Sequence, residues 1–281
     1  MSFVVWEWGM GNGELESVDM WNFPLHPTPH TLHPTPHTPN HSHMKDAPVK
    51  PPASEIRDLF NRIAPIYDQL NNWLSLGQHR VWKLMAVKWT NPSPGKSYLD
   101  LCCGSGDLAQ LLAAQVGATG QVYGVDFSPA QLAIAQTRVA QKYPPLAISW
   151  VEADALNLPF DDNYFDGATM GYGLRNVTDI PLCLKELYRV LKPDAKAAIL
   201  DFHRPTQLAV SSFQQWYLEN LVVPCAKNFG LKEEYAYIIP SLERFPTGLE
   251  QVKLARQAGF VSATHYPIAA GMMGVLVLSK V

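Results

Sequence analysis

Two acids, two glycines and a helix start carry the most legible chemistry of this chain. In "SYLDLCCGSGDLAQLLAAQV", beginning at Ser97, an apolar run meets a helical pattern across a bend at 102–106. Gly104 and Gly106 let the backbone turn tightly and let a ligand touch it. Asp107 opens the following helix, whose exposed N–H groups favour an electronegative or carboxylate-bearing ligand. "QVYGVDFSP" then ends its apolar run in Asp126, about 20 residues past the glycines, where an acid suits the two hydroxyls of a ribose. "EADALNLPFDDNYFDG" sets Asp154 and Ala155 at the end of a third strand, on the ligand rim of a parallel sheet. A carboxylate there can accept an adenine amino group or can simply hold a turn. The combination points to a nucleoside-bearing cofactor, either a dinucleotide or S-adenosylmethionine. Ala109 takes the place of a third glycine, which the dinucleotide fingerprint permits, but Cys102 replaces one upstream, which leans away from nicotinamide. Cys102 and Cys103 lack a second ligand pair at zinc spacing, so no metal is expected, and both read as small buried filler.

The elements that must hold these residues alternate. Strands are predicted at 97–101, 121–126, 147–152, 165–170, 197–202, 262–268 and 274–280, and helices near 107–116, 129–142, 179–190 and 248–257. Such alternation means an α/β fold, a mostly parallel seven-stranded sheet covered on both faces. The last two strands have only "AAG" between them and should form a hairpin, leaving one strand antiparallel. A helical, aromatic-rich insertion at 211–245 follows the fifth strand, where a lid would sit. Upstream, "SEIRDLFNRIAPIYDQLNNWLSLGQHRVWKLMAVKW" reads as two helices, with Ile56, Leu59, Phe60 and Ile63 on one apolar face and Leu84 and Val87 on another. Ser54 is the expected cap of the first, and Pro65 should end it. The chain thus divides into an extension (1–44), a helical cap (45–95) and a catalytic domain (96–281).

Composition narrows the class. Residues 1–44 hold no Lys or Arg and four acids, which is wrong for a signal or transit peptide. The remainder balances 22 basic against 21 acidic residues, so no nucleic-acid partner is expected. No apolar run is long enough to span a membrane. Four cysteines without paired spacing favour a reducing, cytoplasmic compartment. "HPTPHTLHPTPHTPNHSH", from His26, holds six of the nine histidines. Such a tract can bind metal, but alternating Pro and Thr cannot bury a face, and the tract reads as an unfolded extension, with Met44 an alternative start.

From about Phe60 onward the chain resembles the quinone-biosynthesis C-methyltransferases that act on ubiquinone and menaquinone precursors. The motifs that carry the likeness are "FNRIAPIYDQLNNWLSLGQHRVWK", "YLDLCCGSGDLA", "GVDFSP", "ADALNLPFDDNYFD", "GLRNVTD", "ELYRVLKP", "YAYIIPSLERFP" and "ARQAGF". The "CCGSGD" form is most similar to the demethylphylloquinone branch. The resemblance implies a class I, Rossmann-like methyltransferase fold, S-adenosylmethionine as methyl donor, no metal, and a reduced prenylated naphthoquinone as acceptor. A demethylmenaquinol or ubiquinone precursor is the alternative acceptor, and a non-catalytic assembly protein the alternative role. On the donor side it implies Asp100, Gly104, Ser105, Gly106, Asp126, Phe127, Asp154 and Ala155. Gly171 falls where relatives often carry a donor-contacting Ser. Lys192-Pro-Asp194-Ala195 stands where relatives have Lys-Pro-Gly-Gly, a changed turn away from the chemistry.

Carbon methylation needs an electron-rich ring carbon, supplied by deprotonating an adjacent hydroxyl, held about 3–3.5 Å from the methyl. Candidates for activating that hydroxyl are Arg175, which can stabilise the phenolate but not lose its proton, His203 just past the fifth strand, and Tyr67 near the entrance. Asn176 is expected on the acceptor side. Trp216, Tyr217, Leu221, Phe229, Tyr235 and Tyr237 would wall an apolar cleft for the isoprenoid tail or simply pack the insertion. Peripheral membrane contact is expected from the acceptor rather than from a basic helix face. Whether the chain works as a homodimer is left open by the sequence.

Overall fold

The computed structural model describes residues 52–64, 72, 75, 77–143, 145–227, 231 and 235–281. The histidine tract, Met44, Pro65, Tyr67 and Phe229 fall outside them. In chain order the elements are α1 (Ala53–Ile63), α2 (His79–Trp89), β1 (Ser97–Leu101), α3 (Asp107–Val116), β2 (Gln121–Asp126), α4 (Pro129–Ala140), β3 (Ile148–Glu152), β4 (Phe165–Gly171), α5 (Ile180–Val190) and β5 (Leu191–Phe202). The insertion follows as α6 (Leu208–Tyr217), a π-helical turn (Leu218–Val222), α7 (Val223–Lys227) and α8 (Ile238–Arg244). The chain closes with α9 (Gly248–Gln257), β6 (Ser262–Ile268) and β7 (Met273–Ser279).

The seven strands run in the order β3-β2-β1-β4-β5-β7-β6. All neighbours are parallel except β7, which is antiparallel to both β5 and β6. The turn at Ala269–Gly271 is too short for a crossover and forces the hairpin. From β1 the chain leads to β2 on one side, while β4 lies on the other, so a crevice opens outside the carboxyl end of β1. Strand alternation sends Leu99 and Leu101 to one core with Leu184, Leu187 and Phe260, and Tyr98 to the other with Leu112, Val116 and Leu200. A third core joins Ile63 of α1 to Leu218, Val222 and Leu242 of the insertion. Local signals place the helix starts: the Ser128 and Asp179 side chains accept from Gln131 and Leu182 N–H, and Thr247 and Glu250 form a capping box.

Two boundaries and one buried face depart from the sequence reading. Pro52 is the cap of α1, and Ser54 lies inside the helix. Leu84 is exposed, while Val87 is buried. β5 starts at Leu191, because Leu191 pairs with Phe165 before three further residues bulge out and Lys196 pairs with Gly167. Asp194 lies in that bulge with φ 63°, a conformation that favours the glycine relatives carry there.

Candidate active site

The bend after β1 visits the left-handed region three times, at Cys102 (φ 54°), Gly104 (φ 53°) and Gly106 (φ 84°). At Gly106 a Cβ would also stand 2.5 Å from Trp150 Cη2, so glycine is required on two counts. The carboxylate of Asp126 stitches the bend to the next strand. Its Oδ2 accepts the Gly104 N–H at 2.8 Å and its Oδ1 the Ser128 N–H at 2.9 Å. Burial pushes Asp126 up to about 6, against the pull of those N–H donors. Hydroxyl donors from a ligand would solvate the ionised form that the protein leaves short of water.

This bend forms one wall of an open cavity, about 960 Å³ with its solvent mouth included, whose lining includes Ser105, Phe127, Asp154, Ala155 and the backbone of Gly171. A Cβ at Gly171 would meet Leu108 Cδ1 at 2.8 Å, so the glycine keeps the wall flat. Asp154 Oδ1 holds the turn through the Leu156 N–H at 2.9 Å, and the residue lies exposed at the cavity rim. α1 roofs the cavity with Ala53, Ile56 and Phe60, tied down where Ser128 Oγ donates to Asn61 Oδ1 at 2.6 Å. A further wall is charged. Lys83 Nζ lies 2.7 Å from Asp107 Oδ2, and Arg138 holds Oδ1 at 2.6 Å. Burial pushes the Asp107 carboxyl up, but Lys83 and then Arg138 hold it below the usual range. Lys83 is itself buried and lines the cavity.

The residues fit an adenosine bearing an amino-acid tail. Asp126 offers a carboxylate to hydroxyl pairs. Two residues that line the cavity, Asn176 and Gln131, each carry a buried acceptor, Oδ1 and Oε1, with no hydrogen-bond partner among the described residues. Lys83 offers an ammonium to a carboxylate. Among the described residues no three His, Cys, Asp or Glu side chains are grouped to hold a metal. The four cysteines are free thiols, and burial pushes Cys102 and Cys103 well up.

A second open cavity, about 870 Å³ with its solvent mouth included, adjoins the first, and Phe60 and Tyr172 line both. Its walls are mostly apolar: Ile63, Phe202, Leu218, Val222, Ile238 and Met273, with Tyr217, Tyr235 and Tyr237 from the insertion side. Arg175 is its cation. The guanidinium donates to Asp201 Oδ1 at 2.7 Å and to the Tyr172 carbonyl at 2.9 Å, and it lies 5.1 Å from the Phe202 ring centre. Asp201, 3 % exposed, also accepts the Arg175 N–H, so it helps to position Arg175.

Several expectations are corrected. Asp100 does not reach the donor cavity. It is fully buried behind the bend, where Oδ2 accepts the Ala109 N–H and Oδ1 the Thr169 hydroxyl, bracing β1 against α3 and β4. Burial pushes it up to about 7. Asn176 lines the donor cavity rather than the acceptor cavity, because Nδ2 turns back to the Tyr172 carbonyl at 2.9 Å. Trp216 and Leu221 wall neither cavity; both are exposed, and Trp216 stacks on Phe213. His203 also lines neither. Its ring packs 4.9 Å from that of His265. Burial lowers the pKa of both rings, that of His265 to about 4. Tyr67 lies outside the described residues. Sequence reasoning missed Lys83, His79, Tyr172 and Asp201. The first two stand in the motif "GQHRVWK", one helical turn apart, but only the docking of α2 shows what they face.

Comparison with known proteins bears on this site. A model described as the ubiE/COQ5 methyltransferase family matches residues 49–280. A "2-phytyl-1,4-naphtoquinone methyltransferase" from Trichormus variabilis is 68 % identical over 227 residues, which is 81 % of this chain and 99 % of the relative. The "2-phytyl-1,4-beta-naphthoquinone methyltransferase, chloroplastic" of Arabidopsis thaliana is 53 % identical over 230 residues, 81 % of this chain and 88 % of that one. Among solved structures, a S-adenosylmethionine-dependent methyltransferase from Aquifex aeolicus superposes with a TM-score of 0.54 at 18 % identity, covering 83 % of this chain and all of that one, a likeness of fold.

Proposed function

The chain belongs to the ubiE/COQ5 methyltransferase family, and on that premise we propose that it moves the methyl group of S-adenosylmethionine to a ring carbon of a reduced 2-phytyl-1,4-naphthoquinone. Dependence on S-adenosylmethionine comes with the family and the fold. The observation that carries the acceptor reading is the pair of cavities with Phe60 and Tyr172 in common. One has the polar fittings of a nucleoside site, and the other is an apolar chamber in which Arg175 is the one Lys or Arg among the described residues.

When bound, the donor supplies a methyl group that is already strongly electrophilic. The chain has to align, desolvate and activate. Asp126 takes the ribose hydroxyls, Asp154 and Ala155 the base, and Lys83 the carboxylate end. Phe60 and Tyr172 shape the passage between the cavities and keep water out of it. Arg175, held by Asp201, stabilises the negative charge that develops on the ring oxygen. The aliphatic and aromatic lining of the second cavity accepts the tail.

The test is to incubate the full chain with S-adenosylmethionine and a panel of demethylphylloquinol, demethylmenaquinol, a ubiquinone-precursor benzoquinol and a simple phenol. Mass spectrometry should find a singly methylated product with the naphthoquinols. Turnover restricted to the benzoquinol or the phenol, or none at all, would refute the reading.

We place the chain in the cytoplasm, in peripheral contact with a membrane through α6. Leu208, Phe213 and Trp216 are 81 %, 52 % and 51 % exposed there, enough apolar surface to enter a headgroup layer while the acceptor is loaded. No helix among the described residues is long and apolar enough to cross a membrane. Flotation with neutral phosphatidylcholine vesicles should carry the wild type and lose Phe213→Glu; equal flotation of the two would reject this contact.

A further inference from the structure

The acceptor cavity needs a base, because the ring hydroxyl must lose its proton before its carbon can attack. Among the described residues that line it there is no Asp or Glu. Arg175 holds its proton. Phenols are poor proton acceptors at neutral pH, and burial pushes Tyr217 further up. Among the described residues, the remaining titratable group in the lining is His79, the first residue of α2. It is 5 % exposed. Its Nδ1 lies 2.8 Å from Ser75 Oγ, and its backbone N–H donates to the same oxygen at 3.3 Å. That contact holds the ring, and with Nδ1–H donating to Ser75 Oγ the nitrogen that can accept a proton is Nε2.

We propose that His79 is the proton acceptor of the reaction, with Ser75 as its positioning residue. The inference rests on the methyl-transfer reading above. His79 takes the hydroxyl proton, and the electron pair of the O–H bond spreads into the ring. The ring carbon forms its bond to the methyl as the carbon–sulfur bond breaks, its electrons staying on sulfur as a neutral thioether. The hydrogen on the methylated carbon then leaves as a proton to water, and His79 returns its proton to the ring oxygen. One proton is released in all, and no oxidant is needed. Arg175 faces the same cavity and steadies the phenolate while the proton is on His79. Lys83, four residues on along α2, lines the donor cavity, so successive turns of one helix serve the two halves of the reaction.

The experiment compares the wild type with His79→Gln and Ser75→Ala in the full chain, using S-adenosylmethionine and a reduced short-tailed 2-prenyl-1,4-naphthoquinol. Three quantities are read: kcat against pH, donor affinity by calorimetry, and the imidazole 15N resonances on adding an unreactive naphthol. Wild-type kcat should fall on an acid limb as one histidine protonates. His79→Gln should lower kcat roughly 10²- to 10⁴-fold and abolish that limb, with donor affinity unchanged. Ser75→Ala should keep the limb but displace it. The His79 resonance should move toward the protonated form when the naphthol binds. A His79→Gln enzyme with normal kcat and an intact limb overturns the proposal. If that variant does not fold, an unmoved limb in Ser75→Ala together with a silent His79 resonance overturns it equally. A wild type that methylates none of the naphthoquinols defeats the methyl-transfer reading instead, which separates the two failures.

Discussion

Binding of the donor should expel a proton from Asp126, and the structure sets the scale of the effect. Its carboxyl is raised from the ordinary 3.8 to about 6, mainly by burial. A shift of that size is worth about 3 kcal/mol between the two protonation states. Ribose hydroxyls donating to the carboxylate favour the ionised form and bring the pKa of the complex back down. The sign follows from linkage. The complex binds fewer protons than the free protein, so affinity is full above pH 6 and is lost as the pH falls below it. At pH 5 the donor should bind roughly tenfold more weakly than at pH 7. Near pH 6 about half a proton should be released per donor bound. Calorimetry in buffers of different ionisation enthalpy reads that number directly. Asp126→Asn removes the titrating group and one of the acceptor oxygens, so affinity should drop by about 2–4 kcal/mol, roughly 30- to 1,000-fold. The fold should barely notice. With its folded pKa raised, the ionised Asp126 costs stability above pH 6, so replacing it removes that cost, which offsets the amide NH2 now facing a backbone N–H. An absence of proton release at pH 6, or the same release from Asp126→Asn, would refute this account of the site.

Gly106→Ala should abolish donor binding, because the new methyl must move Trp150 while the backbone holds φ 84°; a fluorescence shift of that tryptophan with preserved far-UV circular dichroism would report it. Arg175→Ala should stop methyl transfer with donor affinity near normal, and leaving Asp201 buried without its cation should cost about 3–5 kcal/mol in chemical denaturation. Lys83→Ala should weaken S-adenosylmethionine at least tenfold while leaving binding of adenosine, which has no carboxylate, within about twofold by calorimetry, since the charged contact is worth over a kilocalorie.

The amino-acid sequence by itself determined the order and type of the elements, from the glycine bend through Asp126 to the closing hairpin. Each of these is specified by neighbours a few residues away. Period-two apolar runs make strands, Ser128, Asp179 and Thr247 cap the helices that follow them, and a three-residue turn leaves β7 no course but antiparallel. The bend at Gly104 and Gly106 and its tie to Asp126 were legible for the same reason, since a tight turn between a strand and a helix is local chemistry. Tertiary structure alone decided where the remaining side chains went. Asp100 meets Thr169 across 69 residues of sequence, and Arg175 meets Asp201 across 26. Those partnerships turn one acid into a hidden brace and the other into the mount of a cation. Trp216 and His203 read as site residues by position, yet one lies on the outside of α6 and the other against His265. His79 and Lys83 carried no signal beyond a helical spacing, because a helix face acquires a function only from what it packs against. Spacing along the chain fixes which face a residue shares, but long-range packing fixes what that face meets.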